Sequence, residues 1–528
     1  MDNSLDVPVL IAGGGPVGLS CAYFLAFQGV PALLVERRDG MSLLPRAPGM
    51  QARTLEIFRS TGLGERIRSL EIGNSRPYFE GGILRTATLA GIAGAQVLEA
   101  PALDGPDISP ETVMGCGQNR YERVLAEAAR EHGADLRFGH RLTGFEQDDN
   151  EVTAEIAVAG TERVLTVRAR YLVAADGTRS TVRARLGTGM SGRGTIFHAV
   201  SVYFRAPELE AILGGRTFIL CYATGSGGRT LALSRLHGCD PWAGAITYDP
   251  AKGESAADLT PERCVQIIRD CAGDMDLEVE VIDTVPWEGA QRVADAFRTG
   301  RVFLAGDAAH VHPPAGGFGA NTGIHDAHNL SWKLAAVMSG WAGDALLDSY
   351  DAERRPLGVA MAEQALIRSR IRQGLGGTAE NAGMVPDIVV TLGYRYGPAG
   401  PVLPARLELT GEPGSRVPHL WLLDGDRRIS TIDLCSDAFV LLAAPSAQSW
   451  ADAARAVAAG LGIPLRTYLL DAGILAEAPG WADALGIGQE GAVLVRPDAF
   501  VSWRSPAGPG DDDAKAVLTD ALNAAVGR

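Results

Sequence analysis

The chain lacks the features that would place it in several large protein classes. No stretch approaches the roughly 20 uninterrupted apolar residues of a membrane-spanning helix, and the start, MDNSLDVPVLIAGGG, has no basic region ahead of its first apolar run. Neither a membrane span nor a secretory leader is expected, and a cytoplasmic location is the expectation that follows. No two of the seven cysteines (Cys21, Cys116, Cys221, Cys239, Cys264, Cys271, Cys435) form a C-x-x-C pair. That excludes a thioredoxin-type dithiol centre and suggests buried thiols rather than a disulfide framework. Positive charge is also short: the formal net charge is -15, which opposes the Lys and Arg contacts to phosphate that nucleic-acid binding depends on.

What the chain does have is length and apolar content. With 528 residues, 46% of them hydrophobic and 21% charged, it exceeds what one core can organise and predicts two to four globular domains of about 100 to 200 residues each. Nothing in the pattern sets the oligomeric state, and a homo-oligomer stays open.

The opening VPVLIAGGGPVGLSCAYFLAFQGVPALLVERR reads as strand, glycine turn, apolar helix from about Pro16 to Gln28, and a second strand ending at Glu36. Gly13, Gly15 and Gly18 form G-x-G-x-x-G, which permits a tight turn, close approach of a pyrophosphate and tight packing of helix on strand. The helix N-terminus favours phosphate, and Glu36 can accept hydrogen bonds from a ribose. An adenine dinucleotide is expected, with FAD and NAD undivided at this point. GIGQEG, Gly486 to Gly491, matches the same pattern, but the flanking WADAL and AVLVRP do not read as strand then helix, so it is set aside.

Two later stretches sharpen this. In YLVAADGTRSTVR, Asp176 and Gly177 follow an apolar strand. In RVFLAGDAAHVHPPAGGFGAN, Asp307 ends a strand, where a carboxylate can take the hydroxyls of a polyol chain. Pro313 and Pro314 then fix the backbone, and Gly316, Gly317 and Gly319 remove side chains, so that the segment can lie flat against a large planar ring. The helical spacing of TGIHDAHNLSWKLAAVMSG points N-terminal amides back at that ring, where they stabilise the negative charge a reduced flavin carries at N1 and C2=O. His310, His312, His325 and His328 have spacings compatible with imidazole ligation, but a metal would fill the space the flavin needs. No metal site is expected.

These three motifs together resemble the class A FAD-dependent aromatic hydroxylases with the p-hydroxybenzoate hydroxylase fold. PRAPGMQARTLEIF, LLDSYDAERRP and AVLVRPDAFVSWR narrow the resemblance to the branch that tailors aromatic polyketides, which includes aklavinone 11-hydroxylase and the angucycline hydroxylases. The resemblance implies an α/β architecture. A discontinuous FAD-binding domain of the glutathione-reductase-type Rossmann class takes 1–75, 106–185 and 286–385; a β-sheet substrate domain takes 76–105 and 186–285; a thioredoxin-like domain without CxxC takes 390–528. It also implies roles. Gly13, Gly15 and Gly18 bind the pyrophosphate, Glu36 takes the adenosine ribose, and Arg37 joins it as a cofactor-binding residue. Arg46 and Gln118 contact the flavin or its ribityl region, Asp176 is a further cofactor residue, and Asp307 binds the ribityl chain. Pro314 lies near the reacting edge, and the backbone of Gly317, Gly319, Ala320 and Asn321 faces N1 and C2=O. His325 departs from the pattern, where a glutamine is expected.

The chemistry implied is reduction of FAD by transiently bound NADPH (or NADH), addition of O2 at C4a, and delivery of the terminal oxygen of the hydroperoxide to a bulky phenolic small molecule. Tyr222 is a candidate for deprotonating that phenol or is a buried structural tyrosine; Arg370 and Arg372 meet a polar substrate group or face solvent; Arg53 and Arg183 steer NADPH phosphates or hold the fold. W-x-W-x-I-P of the flavin halogenases is absent, and no second nucleotide fingerprint supports a two-Rossmann Baeyer-Villiger enzyme. Baeyer-Villiger insertion on the class A scaffold and a non-enzymatic flavin-bound redox sensor remain as alternatives.

Overall fold

The structure is a computed structural model that describes residues 4–42, 44, 46–71, 76–99, 107–235, 241–374, 383–397, 403–471, 474–477, 479–510 and 513–528. Among them, no helix is long and apolar enough to cross a membrane. Cys239 of the sequence reading lies outside the described residues.

The first sheet runs in the order Arg298–Thr299, Val302–Leu304, Val164–Ala174, Ser4–Ala12, Ala32–Glu36, Asp135–Phe138. The strands from Val302–Leu304 to Asp135–Phe138 pair in parallel. Parallel neighbours need crossovers, and the first is the helix Pro16–Phe27, closed at its start by Pro16. That helix is apolar all round and buried along most of its length because it is sandwiched between the sheet and the helices Phe318–Met338 and Gln118–Glu131.

The second sheet has eight strands, in the order His310–Val311, Glu280–Ala294, Met190–Arg205, Trp242–Tyr248, Thr230–Ser234, Leu220–Thr224, Ile83–Thr86, Gln96–Glu99. Alternation assigns its faces. Leu84, Val200, Val202, Phe204, Cys221, Leu231, Leu233, Trp242 and Ile246 share one core with the helix Pro261–Ala272, so the alternate residues face the first domain. Glu280–Ala294 belongs to this sheet over its whole length, so a border at 285/286 falls inside a strand.

Beyond residue 415 a four-stranded sheet runs Leu465–Leu469, Phe439–Ala443, Ala492–Val495, Val501–Ser505, flanked by the helices Gln448–Leu461 and Ala514–Ala525. This is the thioredoxin-like unit, and its Cys435 is buried, with burial pushing the thiol up to about 12. GIGQEG sits here between the short helix Trp481–Leu485 and the strand Ala492–Val495, outside any βαβ unit.

The unit is held to the flavin-domain helix Ala52–Ser60 by buried charge. Glu56, fully buried, accepts from Arg416 Nε at 3.0 Å and Nη2 at 2.6 Å, from Arg53 at 3.0 Å and from the Ser109 hydroxyl at 2.6 Å. Burial alone would raise this carboxyl, but the two guanidiniums outweigh it and hold it at about 2. Removing one partner of such a pair leaves uncompensated charge in the interior. Arg416→Met is therefore expected to destabilise the protein by roughly 3–5 kcal/mol, read as a lowered urea midpoint with the C-terminal unit released first; an unchanged midpoint would contradict the anchoring.

Candidate active site

The glycine turn is built for contact with backbone and for open space. A Cβ on Gly13 would lie 2.3 Å from the Ala175 carbonyl oxygen and one on Gly18 1.9 Å from that of Gly13, whereas one on Gly15 would meet nothing within 4 Å. The first two glycines thus let helix and strands close up, and Gly15 leaves room for an anion at the helix N-terminus. Glu36, at the end of the neighbouring strand, accepts from Gly14 N through Oε2 at 2.7 Å and from Arg38 N through Oε1 at 2.9 Å. Each oxygen keeps a lone pair for a hydroxyl. Arg37, next along the chain, is exposed.

Asp307 follows the strand Val302–Leu304 in a short 3-10 turn. Its side chain is accessible to solvent, yet the surrounding protein mass pushes its carboxyl upward against the pull of His310. Accessibility combined with enclosure places it in a cleft. Beyond it Pro314 and Gly317 are exposed, Gly316 and Gly317 take φ of 82° and 63°, and Cβ atoms on Gly317 and Gly319 would meet nothing within 4 Å. Half-buried Ala320 continues into the helix Phe318–Met338. Asn321 is different: its Oδ1 accepts from Gln51 N at 3.1 Å and Thr54 Oγ1 at 2.6 Å, and its Nδ2 donates to Gly49 O at 3.0 Å and Gly317 O at 2.8 Å. That side chain fastens the glycine segment to residues 49–54 and leaves only backbone facing the cleft.

The four histidines are engaged in packing and hydrogen bonding. His310 bonds Asp326 at 2.6 Å and stacks on His312 at 4.7 Å, His325 meets Thr54 Oγ1 at 3.0 Å, and His328 packs edge-on to Phe24. Burial holds His312 and His325 well below the usual histidine range and His328 at about 3, so all three are neutral. Arg53 is buried against Glu56, and Arg183 donates to Ala308 O at 2.8 Å and Thr178 O at 2.9 Å. Of the two alternatives left open by the sequence, Arg53, 2% exposed, takes the fold-holding one, and the Arg183 contacts tie neighbouring turns together. Asp176 accepts from the amides of Thr181 at 2.8 Å and Val182 at 3.2 Å, starting the helix Thr181–Arg185.

Facing this cleft, the second sheet presents a trough. One transverse row reads Arg85, Tyr222, Ala232, Ala245, Ser201, Val285, and the next reads Leu220, Ser234, Ala243, Tyr203, Asp283. The two central strands thus carry alanine and serine, while Leu220 and Tyr222 stand on one side and Tyr203 and, further along, Trp287 on the other. At about 4.8 Å per strand the trough is about 14 Å wide, room for several fused rings lying flat. Tyr203 is hydrogen-bonded to Arg46, whose carbonyl in turn accepts from Gln118 N at 2.9 Å. The indole N–H of Trp287 is buried with no partner among the described residues.

At the trough's edge, Tyr222 is hydrogen-bonded to Arg372, the last residue of the helix Asp348–Arg372, and Arg372 grips Glu99 with Nε at 2.6 Å and Nη2 at 2.8 Å. Arg85 donates to the Arg372 carbonyl. Burial pushes the Tyr222 hydroxyl above its usual value against the opposing charge of Arg372. Near neutral pH it is therefore a phenol with its oxygen occupied by an arginine and its proton free to be donated. Of the two sequence readings of Tyr222, a base or a buried structural tyrosine, the raised hydroxyl and the Arg372 contact describe a buried, protonated tyrosine. Glu99, Arg85, Tyr203 and Trp287 escaped the sequence reading because only strand register brings them to the trough.

Comparison with known proteins accounts for both parts. The FAD binding domain family matches residues 6–365, and the family described as aromatic-ring hydroxylase, C-terminal, matches 410–528. Tetracenomycin B2 monooxygenase-dioxygenase of Streptomyces olivaceus is 45% identical over 98% of both chains, and aklavinone 12-hydroxylase RdmE of Streptomyces purpurascens 38% identical over 95% of this chain and 96% of that one. The crystal structure of aklavinone-11 hydroxylase with FAD and aklavinone superposes with a TM-score of 0.89 at 36% identity, covering 99% of both chains. The chain belongs to the FAD-binding aromatic-ring hydroxylases. It is a flavin-dependent monooxygenase, and open space at Gly15, Gly317 and Gly319 beside the carboxylates of Glu36 and Asp307 fits an extended FAD.

Gly18→Ala, whose methyl collides with the Gly13 carbonyl, is expected to yield protein with little bound flavin and a lowered melting temperature. Gly15→Ala is expected to lose flavin while keeping its melting temperature in the flavin-free state. The ratio of absorbance at 450 and 280 nm and thermal unfolding of flavin-free protein check both.

Proposed function

We propose that this enzyme hydroxylates a polycyclic phenol of the aromatic polyketide type, consuming NADPH and O2. The observation that carries the reading is the Glu99–Arg372–Tyr222 array at the rim of a wide, small-residue trough that faces the flavin cleft. The names of the relatives support the substrate class, since tetracenomycin A2 and B2 monooxygenase-dioxygenases stand among them.

Bound FAD, reduced by NADPH and supplied with O2, would provide one electrophilic oxygen atom, the other leaving as water. Gly13, Gly15 and Gly18 would hold its pyrophosphate and Glu36 its ribose, with Arg37 at the adenosine end. Arg46, Gln118 and Asp307 would line its ribityl side, and the backbone from Gly317 to Asn321 its ring, with Pro314 at the reacting edge. Asp176 would contribute through the turn it caps beside Gly13. NADPH would bind only for the reduction, since the described residues build no second nucleotide fold for it.

An aromatic ring attacks an electrophilic oxygen faster as its phenolate. Tyr222, donating its proton to the substrate oxygen with Arg372 behind it, stabilises that anion without itself having to ionise. The trough walls exclude water, and a flat aromatic lies over Ala232, Ala245 and Ser201 with its rim against Tyr222.

Turnover under labelled oxygen with a panel of single-ring and fused-ring phenols tests the reading. Substrate-stimulated NADPH consumption, label in the product and preference for fused rings are expected, and product mass counts the oxygens that enter. An ester in place of a ring hydroxyl would mean Baeyer-Villiger insertion, and unlabelled product would overturn oxygenation altogether. Tyr222→Phe is expected to lower the hydroxylation rate about 100-fold while reduced flavin still consumes O2 as hydrogen peroxide, measured by product formed per NADPH consumed.

A further inference from the structure

One buried carboxylate beside the cofactor cleft has half of its hydrogen bonding unaccounted for. Glu122, 1% exposed in the first turns of the helix Gln118–Glu131, accepts from Gln118 Nε2 through Oε1 at 2.7 Å. Its Oε2 is buried with no partner among the described residues. A buried acceptor without a donor is costly enough that native structures rarely keep one, so a donor belongs there. The charged groups around it are Arg38 and Glu36 at the end of the second strand and Arg46 from the segment before Gly49; Gln118 and Tyr121 lie on its own helix. Glu36 is the ribose acceptor already clamped to Gly14, and Arg46 and Gln118 are the residues joined by a backbone hydrogen bond at the ribityl side. Glu122 is therefore bonded to Gln118 and close enough to Arg46 and Glu36 to feel their charge, which puts it near residues assigned to two parts of the same extended ligand.

We propose that Glu122 is a cofactor-binding residue, whose Oε2 accepts a hydroxyl of bound FAD while its Oε1 fixes the Gln118 amide with the carbonyl turned toward the same sugar chain. The ligand chemistry follows from the acceptor: a carboxylate oxygen needs a donor, and the donors an FAD carries between its two ring systems are the hydroxyls of its ribityl chain and ribose. The inference rests on FAD binding in the cleft but not on the reaction proposed for it.

Burial raises the Glu122 carboxyl to about 7, against the opposing pull of Gln118, Arg38 and Arg46. A hydroxyl donates to the ionised form, so FAD binds the deprotonated protein better and affinity rises with pH. If only the ionised form binds well, Kd tightens about tenfold between pH 6 and 8.

The experiment is titration of the flavin-free full chain with FAD, followed by flavin fluorescence from pH 6 to 8, for the wild type and Glu122→Gln. Expected are the tenfold tightening in the wild type and, in the isosteric variant, a Kd at pH 8 weaker by about tenfold or more with no dependence on pH. A flat wild-type profile, or a variant that keeps the wild-type Kd and slope, overturns the proposal. Should the variant fail to fold, the wild-type profile together with proton release on binding at pH 7, measured calorimetrically in buffers of different ionisation enthalpy, still decides: no proton released overturns it. Failure to bind FAD at any pH would instead overturn the flavin reading of the cleft, an outcome distinct from an insensitive Glu122.

Discussion

The carboxylate of Asp326 is the constraint on which the cofactor cleft depends. It is fully buried and takes three donors: Gly306 N at 3.1 Å, His310 Nε2 at 2.6 Å and Arg354 Nε at 2.7 Å. Burial would raise it, but Arg354 and His310 hold it at about 2. Those donors come from the turn that carries Asp307, from the short strand that enters the second sheet, and from the long helix Asp348–Arg372. Arg354 goes on to the Thr322 carbonyl at 3.1 Å and the Tyr396 hydroxyl at 2.8 Å. An apolar cluster of equal volume would pack as stably, but it would not fix the direction of the turn relative to the helix that follows it. The charge gives the site its geometry more than its stability.

The helix Asp348–Arg372 carries that geometry outward. Arg354 near its start is locked to Asp326, and Arg372 at its end is locked to Glu99 and Tyr222, about 27 Å away at the helical rise. A rigid rod of this kind sets the distance between the flavin side of the cleft and the rim of the trough without any contact between the two. The helix is held near its start from the other side as well, where Glu353 takes Arg496 at 2.6 Å and Lys333 at 2.7 Å. Arg496 belongs to the C-terminal unit, and so does Arg416, which grips Glu56 two residues along from Thr54, one of the residues that meet Asn321. The thioredoxin-like unit, which has no dithiol, thus braces both helices that border the cleft.

The sequence made the flavin half legible because its chemistry is local. Gly13, Gly15 and Gly18 act within one turn, Asp307 lies three residues beyond its strand, and the glycines after Pro314 act through their own backbone. Periodicity and composition reveal such features directly, which is why the helix expected from Pro16 to Gln28 ends within a residue of its observed end. The substrate half was opaque for an equally physical reason. Tyr222 faces Ala232, Ala245 and Ser201 only through the register of four strands drawn from separate stretches, and Glu99 reaches Arg372 across 273 positions of sequence. Arg53 stayed open between two roles because an arginine in a helix reads the same whether it faces solvent or a buried glutamate. For Asn321 the sequence points to backbone at the cleft, and only its bonding to Gly49 and Thr54 shows that its side chain is used elsewhere.

In the reaction proposed above, the Glu99–Arg372–Tyr222 array would let the site favour a substrate anion without a base of matched pKa. A lone arginine in the trough would attract any anion and leave its own charge uncompensated when none was bound. Pairing it with Glu99 cancels that charge in the resting protein, so the trough stays apolar enough to take a flat aromatic. What remains directed at the substrate is the Tyr222 hydroxyl, polarised by the arginine on its oxygen, a dipole that strengthens as negative charge grows on the substrate oxygen. Stabilisation that grows with the charge acts on the reacting state more than on the bound one. Because the array is anchored through Arg372 to the same helix that Arg354 ties to the turn carrying Asp307, the proposed donor would stay in register with the reacting edge of a bound cofactor.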